Sequence, residues 1–493
     1  MDDPFQPSRG AASSAGAIHG SSGESNGIKQ GGGPLRSPAL PPAIENRARQ
    51  VLGLDDLESV PNALAPRAEQ LWRLDGFAAN VPFTNAMFVP MGASADIGML
   101  YQAVATVVDR HEALRTRLAL QGKRAIQIAE TWKVSAIEVV DVLQKELTDN
   151  QPDRKSAVSE FTQGSMDLYA QDGFRCRAFR DENRNVTLGF LAHGFLSDAW
   201  SSQILFREVR AVYAGLRDRE PAILKPALQF TRYAQVQRNS LDKDLPSHLA
   251  YWHGKLKDMP GSRLPYDHHK EEGRRGRSFF FLDSDVAAGL TGISQTHRVS
   301  LTLVLMAIYQ LSLARWSGQT EILSAAYTAD RIRPEFQNTI GFLVTNMPVC
   351  ARFDRSDGFL PFLRDFAREF YGSYAHRELS CELYDAIFSP AEPFCATVFN
   401  FVPLQKNFFD SELHAVPAFD GTLIGPDASR PSIYREIYLG LAQYPNGILG
   451  KVFYNADRFT PEGIENFIQH FRNVVRRVAA DPDVKLRELL DIL

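Results

Sequence analysis

The residues from Leu188 to Tyr213 place a histidine and an aspartate between an apolar segment and a long amphipathic one. The apolar run ends at His193, a loop of four residues follows, and Asp198 precedes apolar residues at three- and four-residue spacing, which predicts a strand, a turn and a helix. A histidine at such a turn can transfer protons if it faces a crevice. The pattern alone favours a buried core histidine.

The rest of the chain alternates irregularly between strand and helix patterns, which predicts an α/β fold. Four further elements are predicted from their spacing: helices over 95–114 and 301–316, and strands over 186–192 and 340–351. The helix over 301–316 is almost wholly apolar and should be deeply buried. The last long helix should have Thr460 as its N-cap and Pro461 as its first residue.

The N-terminal residues 1–42 are rich in Gly, Ser, Ala and Pro, with few large apolar residues. Such a segment buries too little surface to offset its ordering entropy, so we predict that it is a disordered tail. A short helix is expected over 43–57, leading into the folded part.

Charge and cysteine usage limit the partners and the compartment. A net charge of -4 offers no electrostatic case for nucleic acid or for an anionic membrane. The four cysteines are widely spaced without a metal-binding or disulfide pattern, as in a reducing compartment. With neither a signal segment nor an apolar stretch of membrane-spanning length, we expect a cytoplasmic protein. No histidine and carboxylate spacing resembles a zinc site, and no Gly-rich nucleotide loop follows a strand, so we expect no bound metal or nucleotide.

The segment around His193 resembles the active-site motif of condensation domains from nonribosomal peptide synthetases, His-His-x-x-x-Asp-Gly. Without gaps, His193 matches the first histidine, Asp198 the aspartate and Ala199 the glycine. Gly194 matches the second histidine, the one usually assigned the catalytic role. The motif is therefore degenerate at its catalytic position.

Other family motifs occur in the family's order, from about Val60 to Leu493. They lie at Leu64 to Trp72 (LAPRAEQLW), Asp109 to Arg117 (DRHEALRTR), Tyr251-Trp252 with Leu264-Pro265, Arg331 to Pro348 (RIRPEFQNTIGFLVTNMP), His376 to Glu382 (HRELSCE) and Gly450 to Phe459 (GKVFYNADRF). Several of these matches are specific, so a chance similarity is improbable.

The resemblance implies an α/β fold of two chloramphenicol-acetyltransferase-like halves in a V-shaped arrangement. We predict an N-terminal half over 43–235 and a C-terminal half over 236–493, meeting near 225–250 with His193 and Asp198 at their junction. The family's aspartate pairs with an arginine of the second half, and Arg331 holds the matching position. His111 matches a position that looks architectural.

Two roles are open for His193. A one-residue bulge could swing it into the family's tunnel as a displaced base, or it could point away and bond to the backbone. The gap-free match on both sides favours the second role. The loss of a general base typically lowers the rate on the order of 100- to 10,000-fold, although positioning alone supplies part of the acceleration.

The function implied by the resemblance is that of a free-standing condensation enzyme. It would join an acyl thioester on an acyl or peptidyl carrier protein, supplied in trans, to a small-molecule amine or hydroxyl, giving an amide or ester in specialised metabolism. The only cofactor would be the carrier's own phosphopantetheine arm. Two alternatives stay open: a non-catalytic module that docks a carrier protein or recruits a tailoring enzyme, and a cyclising or dehydrating variant.

Overall fold

A computed structural model describes residues 40–55, 62–75, 84–122, 124–133, 135–143, 157–163, 166–170, 173–268, 274–388, 394–403 and 436–491. The chain from Ala39 onward forms one compact unit. Nearly all of the predicted tail, 1–42, lies outside the described residues. The helix expected over 43–57 runs over Pro42–Leu52.

The first part of the chain builds a four-stranded sheet with helices on it. Its elements are α1 (Pro42–Leu52), α2 (Pro66–Asp75), β1 (Thr84–Gly92), α3 (Ile97–Arg110), β2 (Thr116–Gln121), β3 (Arg124–Ala129), β4 (Glu138–Asp141), α4 (Ala157–Gln163), β5 (Phe174–Arg180), β6 (Val186–His193) and α5 (Ala199–Asp218). The sheet order is β1-β6-β5-β4, while β2 and β3 form a separate hairpin. Every residue of β6 is buried, because one sheet face packs on α3 and α5, while the other face carries Phe88 of β1 and Phe179 of β5, which pack with Phe161 of α4. Burial on both faces explains the uninterrupted apolar run before His193.

The second part builds a six-stranded sheet. Its elements are α6 (Phe230–Leu256), β7 (Arg275–Asp283), α7 (Ser284–His297), α8 (Leu301–Ser317), β8 (Glu321–Ala329), β9 (Val344–Arg352), α9 (Phe359–Tyr374), α10 (Cys381–Phe388), β10 (Thr397–Val402), β11 (Ile437–Tyr444), β12 (Gly447–Asn455), α11 (Pro461–Ala480) and α12 (Leu486–Asp491). The order β7-β12-β11-β10-β8-β9 contains two parallel pairs, β11 with β10 and β10 with β8. Helix α8 is buried along most of its length, as its composition predicted.

The long helix α6 connects the two cores. Its first turns, with Phe230 and Tyr233, belong to the core of the first sheet, whereas Leu241 and the residues after it belong to the core of the second. The domain boundary predicted between 235 and 236 falls within this helix and stays a prediction. In addition, Leu52 of α1 packs into the core of the second sheet, so the two halves share chain segments.

The strand predicted over 340–351 was wrong in its first four residues, since β9 begins only at Val344. Ile340, Phe342 and Leu343 are apolar because they pack into the core of the first sheet, not because they belong to a strand. The helix predicted over 95–114 is shorter, with Asp96 as its N-cap and an end at Arg110.

None of the described helices is by itself both long and apolar enough to span a membrane. Helices α7 and α8 pass that test only together, as a pair that is bent by 111°.

The start of α11 provides a test of the fold. Thr460 is the N-cap as predicted, and its Oγ1 accepts a hydrogen bond of 3.0 Å from the Gly463 amide. Thr460→Ala should lower the free energy of unfolding by about 1 kcal/mol because this amide loses its partner. Thr460→Ser keeps the hydroxyl and should retain most of the stability in chemical denaturation. Equal losses in the two variants would contradict the capping role.

Candidate functional site

The turn between β6 and α5 carries the residues singled out in the sequence. His193 is the last residue of β6, and its carbonyl accepts from the Leu196 amide at 2.8 Å, which closes the turn. Asn85 of the neighbouring strand β1 donates to the Ser197 carbonyl at 2.6 Å. Asp198 then caps α5. The turn is therefore held by strand pairing on one side and by a helix cap on the other.

The imidazole of His193 is buried and locally bonded. The Phe195 amide donates to His193 Nδ1 at 3.2 Å, so a neutral ring carries its proton on Nε2. The two rings stack with centroids 5.3 Å apart. Burial lowers the pKa of His193 to about 3, whereas an efficient general base needs a pKa near the working pH. These observations favour a structural role for His193 over the role of a displaced base.

Gly194 is buried in the same turn. Gly194 is not one of the described glycines with a positive φ, so residues other than glycine can adopt its backbone conformation. A side chain at this position would therefore meet no conformational barrier from φ.

Asp198 accepts hydrogen bonds on both carboxylate oxygens. Oδ1 accepts from the Ser201 amide and the Ser201 hydroxyl, each at 2.7 Å. Oδ2 accepts from the Leu343 amide at 3.1 Å. The carboxylate thus caps α5 and also holds the segment that leads into β9.

The structure brings Arg331 to Asp198, as expected from the resemblance. Arg331 Nη2 lies 2.9 Å from Oδ1 and 3.0 Å from Oδ2, and each side chain is only 3% exposed. Arg331 Nη1 donates to the Thr339 carbonyl at 2.7 Å and to the Phe336 carbonyl at 3.1 Å. A buried ion pair requires such additional hydrogen bonds to offset the loss of hydration.

The segment 331–343 closes over the pair and fastens the two halves. Trp200 Nε1 donates to the Gln337 carbonyl at 3.0 Å, and the Arg331 guanidinium lies 5.8 Å from the centroid of the Trp200 ring. Phe342 contacts Phe195 edge to face, with centroids 5.6 Å apart. The turn at 193–198 therefore lies at the junction of the two halves.

Ser201 is a site residue that the sequence analysis did not identify. Its Oγ accepts from the Gly341 amide and from Arg331 Nη2, both at 3.0 Å, in addition to its contact with Asp198. The signal in the sequence was its position three residues after the N-cap Asp198, where capping geometry brings side chains together.

Other charged residues near the junction make internal pairs. Glu208 of α5 accepts from His111 at 2.8 Å and from Arg110 at 3.0 Å, an arrangement that suits the architectural role suggested for His111. Beside Arg331, Asp330 pairs with Arg377 and accepts from the Tyr233 hydroxyl at 3.0 Å. Within the described residues, no group of three or more His, Cys, Asp or Glu side chains is arranged to hold a metal ion.

The turn at 193–198 is buried and mostly apolar, and it lies between the halves. The imidazole on the turn is neutral at ordinary pH and is bonded to the backbone through Nδ1. Chemistry at this turn would depend on positioning more than on proton transfer by His193.

Comparison with known proteins identifies relatives along most of the chain. The condensation domain family model matches residues 80–492. A component of the linear gramicidin synthase from Brevibacillus parabrevis is 26% identical over 442 residues, which cover 85% of this chain and 8% of that protein. The chondramide synthase from Chondromyces crocatus is 25% identical over 434 residues, which cover 85% and 11% of the two proteins. The chain thus spans only about a tenth of the length of these relatives.

Solved structures share the fold at low identity. The condensation domain from the monacolin K polyketide synthase has a TM-score of 0.71 and 19% identity, and the match covers 86% of this chain and 98% of that one. The X-domain in a complex of the X-domain and OxyB from teicoplanin biosynthesis gives 0.68 and 19%, over 88% and 97% of the two chains. The predicted α/β fold of two chloramphenicol-acetyltransferase-like halves is confirmed.

The buried ion pair predicts a large loss of stability on truncation. Asp198→Ala would leave the Arg331 guanidinium buried without its carboxylate, which should lower the free energy of unfolding by about 3–5 kcal/mol. Asp365→Ala is the matched control, since it removes a carboxylate from the exposed Asp365–Arg368 pair and should cost less than about 1 kcal/mol. Similar changes in the two denaturation curves would refute the clamp.

The burial of His193 predicts a pH dependence. The unfolded chain binds a proton at this histidine as pH falls through about 6.5, while the folded chain does so only near its pKa of about 3. Stability should therefore fall with decreasing pH between these values, by up to about 1.4 kcal/mol per pH unit from this residue. His193→Gln should make the curve of unfolding free energy against pH shallower between about pH 4 and 6. Parallel curves would show that the imidazole titrates normally.

Proposed function

Since the chain belongs to the condensation domain family, we propose that it joins a carrier-bound acyl thioester to an amine or hydroxyl acceptor in specialised metabolism. The acyl group arrives on the phosphopantetheine arm of an acyl or peptidyl carrier protein that is supplied in trans. The observation that carries this proposal is the buried Asp198–Arg331 pair, which holds the turn at 193–198 between the two halves. Because this pair matches the aspartate and arginine of the family, it supports a binding site at the same junction.

The proposed reaction is an acyl transfer. The acceptor nitrogen or oxygen attacks the thioester carbonyl, a C–N or C–O bond forms, and the C–S bond breaks. The acceptor loses its proton and the phosphopantetheine sulfur leaves as the thiol. No oxidant, metal or nucleotide is needed for this balance.

The missing imidazole at Gly194 bears on the acceptor. A neutral amine attacks a thioester without prior deprotonation, whereas a hydroxyl depends more on a base. Holding thioester and amine in contact supplies acceleration of its own. We therefore propose an amine acceptor, which gives an amide.

A non-catalytic module is the second candidate. Gly194 lacks the imidazole, and His193 is locked to the Phe195 amide, so neither supplies a base at the turn. A relative of the same fold was solved as a complex of the X-domain and OxyB from teicoplanin biosynthesis, which supports a docking or recruiting role. A cyclising or dehydrating variant is the third candidate and would use the same junction.

Reconstitution distinguishes the first two candidates. Acyl-loaded carrier proteins are incubated with a panel of amines and hydroxyl compounds, with and without the chain, and their intact masses are recorded. Loss of the acyl mass together with an amide product, only when chain and amine are both present, supports the enzyme. Tight carrier binding without transfer to any acceptor overturns the enzyme and supports the module.

Substitutions in the turn separate positioning from proton transfer. His193→Ala should lower the transfer rate modestly if the histidine is structural, and by about 100-fold or more if it is a displaced base. Gly194→His introduces the family's residue at a position whose φ allows a side chain. It should raise the rate of acyl transfer if only the imidazole is missing. If the space at Gly194 is used by substrate, the same variant should lose acceptor binding instead.

A further inference from the structure

Exposed aliphatic side chains lie where the segment before α6 meets the segment after β8. Ile223 is 98% exposed, Ile332 is 53% exposed and Leu228 is 40% exposed. Single exposed apolar side chains are common on protein surfaces, whereas a group of them in one surface region marks an interaction site. We call Ile223, Leu228 and Ile332 the apolar patch.

Hydrogen bonds join the two segments that carry the apolar patch. Thr339 Oγ1 donates to the Leu228 carbonyl at 2.9 Å. The Thr339 carbonyl in turn accepts from Arg331 Nη1 at 2.7 Å, and Arg331 directly precedes Ile332. Ile223 lies five residues before Leu228, a span of about 18 Å at most along the chain. The three side chains therefore belong to one bonded region of the surface.

The apolar patch borders the turn at 193–198. Trp200, in the first turn of α5, donates from its ring nitrogen to the Gln337 carbonyl at 3.0 Å. Arg207, two helical turns further along α5, donates to Asn338 Oδ1 at 3.0 Å. Helix α5 thus runs from the turn along the segment that follows β8. A partner docked on the patch stands beside the turn where, by the proposed function, the thioester reacts.

Cations without partners surround the apolar patch. Lys225 and Arg333 are exposed, and neither side chain has an ion pair or a hydrogen bond with another residue that the structure describes. Arg207 meets only a neutral side-chain amide within the same part of the chain, so its charge is also uncompensated. Glu220 and Glu335 are the exposed carboxylates of the two segments. Positive charge therefore prevails here, although the whole chain has a net charge of -4.

This combination fits a protein partner that presents an apolar face edged by acidic side chains. Apolar contacts at the centre of an interface supply most of the affinity, and charges at its rim steer the encounter and select the partner. Nucleic acid would instead be held by a denser row of cations along its phosphates. The aliphatic side chains at the centre therefore favour a protein over a nucleic acid.

We propose that the apolar patch and its cations form the docking surface for the carrier protein, which presents an apolar helix face edged by aspartates and glutamates. The carrier then stands beside α5 and delivers its acyl thioester to the turn at 193–198. This inference rests on the proposed function and specifies its partner, an acidic carrier bound on this side of the junction. Its signature is an affinity that falls with rising ionic strength, because salt screens exposed charge pairs.

Charge reversal tests the docking surface. The double variant Lys225→Glu/Arg333→Glu should bind the acyl-loaded carrier proteins of the reconstitution at least about tenfold more weakly, because like charges then face each other. Fluorescence anisotropy of labelled carriers with the full chain measures the affinity. The difference should narrow between about 50 and about 500 mM salt. Arg315→Glu is the matched control, since Arg315 is an exposed arginine in the last turn of α8 that makes no ion pair with the described residues. It should leave the affinity unchanged.

The apolar side chains are tested by a separate pair of variants. Ile223→Ser should weaken carrier binding at least about threefold at both salt concentrations, because the loss is one of apolar burial and not of charge. Leu120→Ser is the matched control, since Leu120 is 62% exposed on the hairpin of β2 and β3. It should leave the affinity unchanged.

Cross-linking of the unaltered chain gives an independent readout. A zero-length carbodiimide joins a carboxylate to a lysine amine in contact with it. Peptide mass spectrometry should therefore find Lys225 linked to an acidic residue of the carrier. Lys257, an exposed lysine just after α6, should remain unlinked.

Three outcomes would contradict the inference. Equal carrier affinities of the unaltered chain and the double variant would overturn it and leave the proposed function standing. A dimer of the chain that Ile223→Ser dissociates in light scattering would also overturn it, because the patch would then bind a second copy. Carriers that neither bind nor transfer their acyl group to any acceptor would refute the proposed function, and the inference with it.

Discussion

The buried pair of Asp198 and Arg331 is the constraint on which the junction depends. Two charges that are 3% exposed lose most of their hydration, and the loss is offset only if each remaining donor and acceptor is bonded. Asp198 meets this requirement through Ser201 and the Leu343 amide. Arg331 meets most of it, since Nη1 donates to two carbonyls and Nη2 to Asp198 and Ser201, while Nε has no hydrogen-bond partner among the described residues. The start of α5, the exit from β8 and the entry to β9 are therefore fixed together.

This coupling explains why apolar residues are exchanged between the halves. With Arg331 held at Asp198, the chain that follows must run across the first half before it enters β9. Its apolar residues Phe336, Ile340 and Phe342 are then buried in the core of the first sheet. Burial of apolar area on both sides of the pair adds hydrophobic stabilisation to an ion pair that by itself contributes little.

The sequence predicted some of these features and missed others for identifiable reasons. Periodicity predicted β6, α8 and the cap at Thr460, because each follows from local chemistry. Asp198 and Arg331 are 133 positions apart, so only the resemblance of the motifs joined them. Ile340 was assigned to a strand because an apolar run does not reveal which core it enters.

The contrast between Gly194 and Asp198 follows from what each position contributes to the fold. Loss of the Asp198 carboxylate would leave a buried guanidinium unpaired, so the ion pair cannot be removed without a loss of folding stability. Gly194 has an ordinary φ and lies within a turn that is closed by its neighbours, His193 and Leu196. An imidazole at this position would add chemistry without supporting the turn. The base can therefore be absent while the surrounding architecture persists, and the proposed acyl transfer would then depend on positioning.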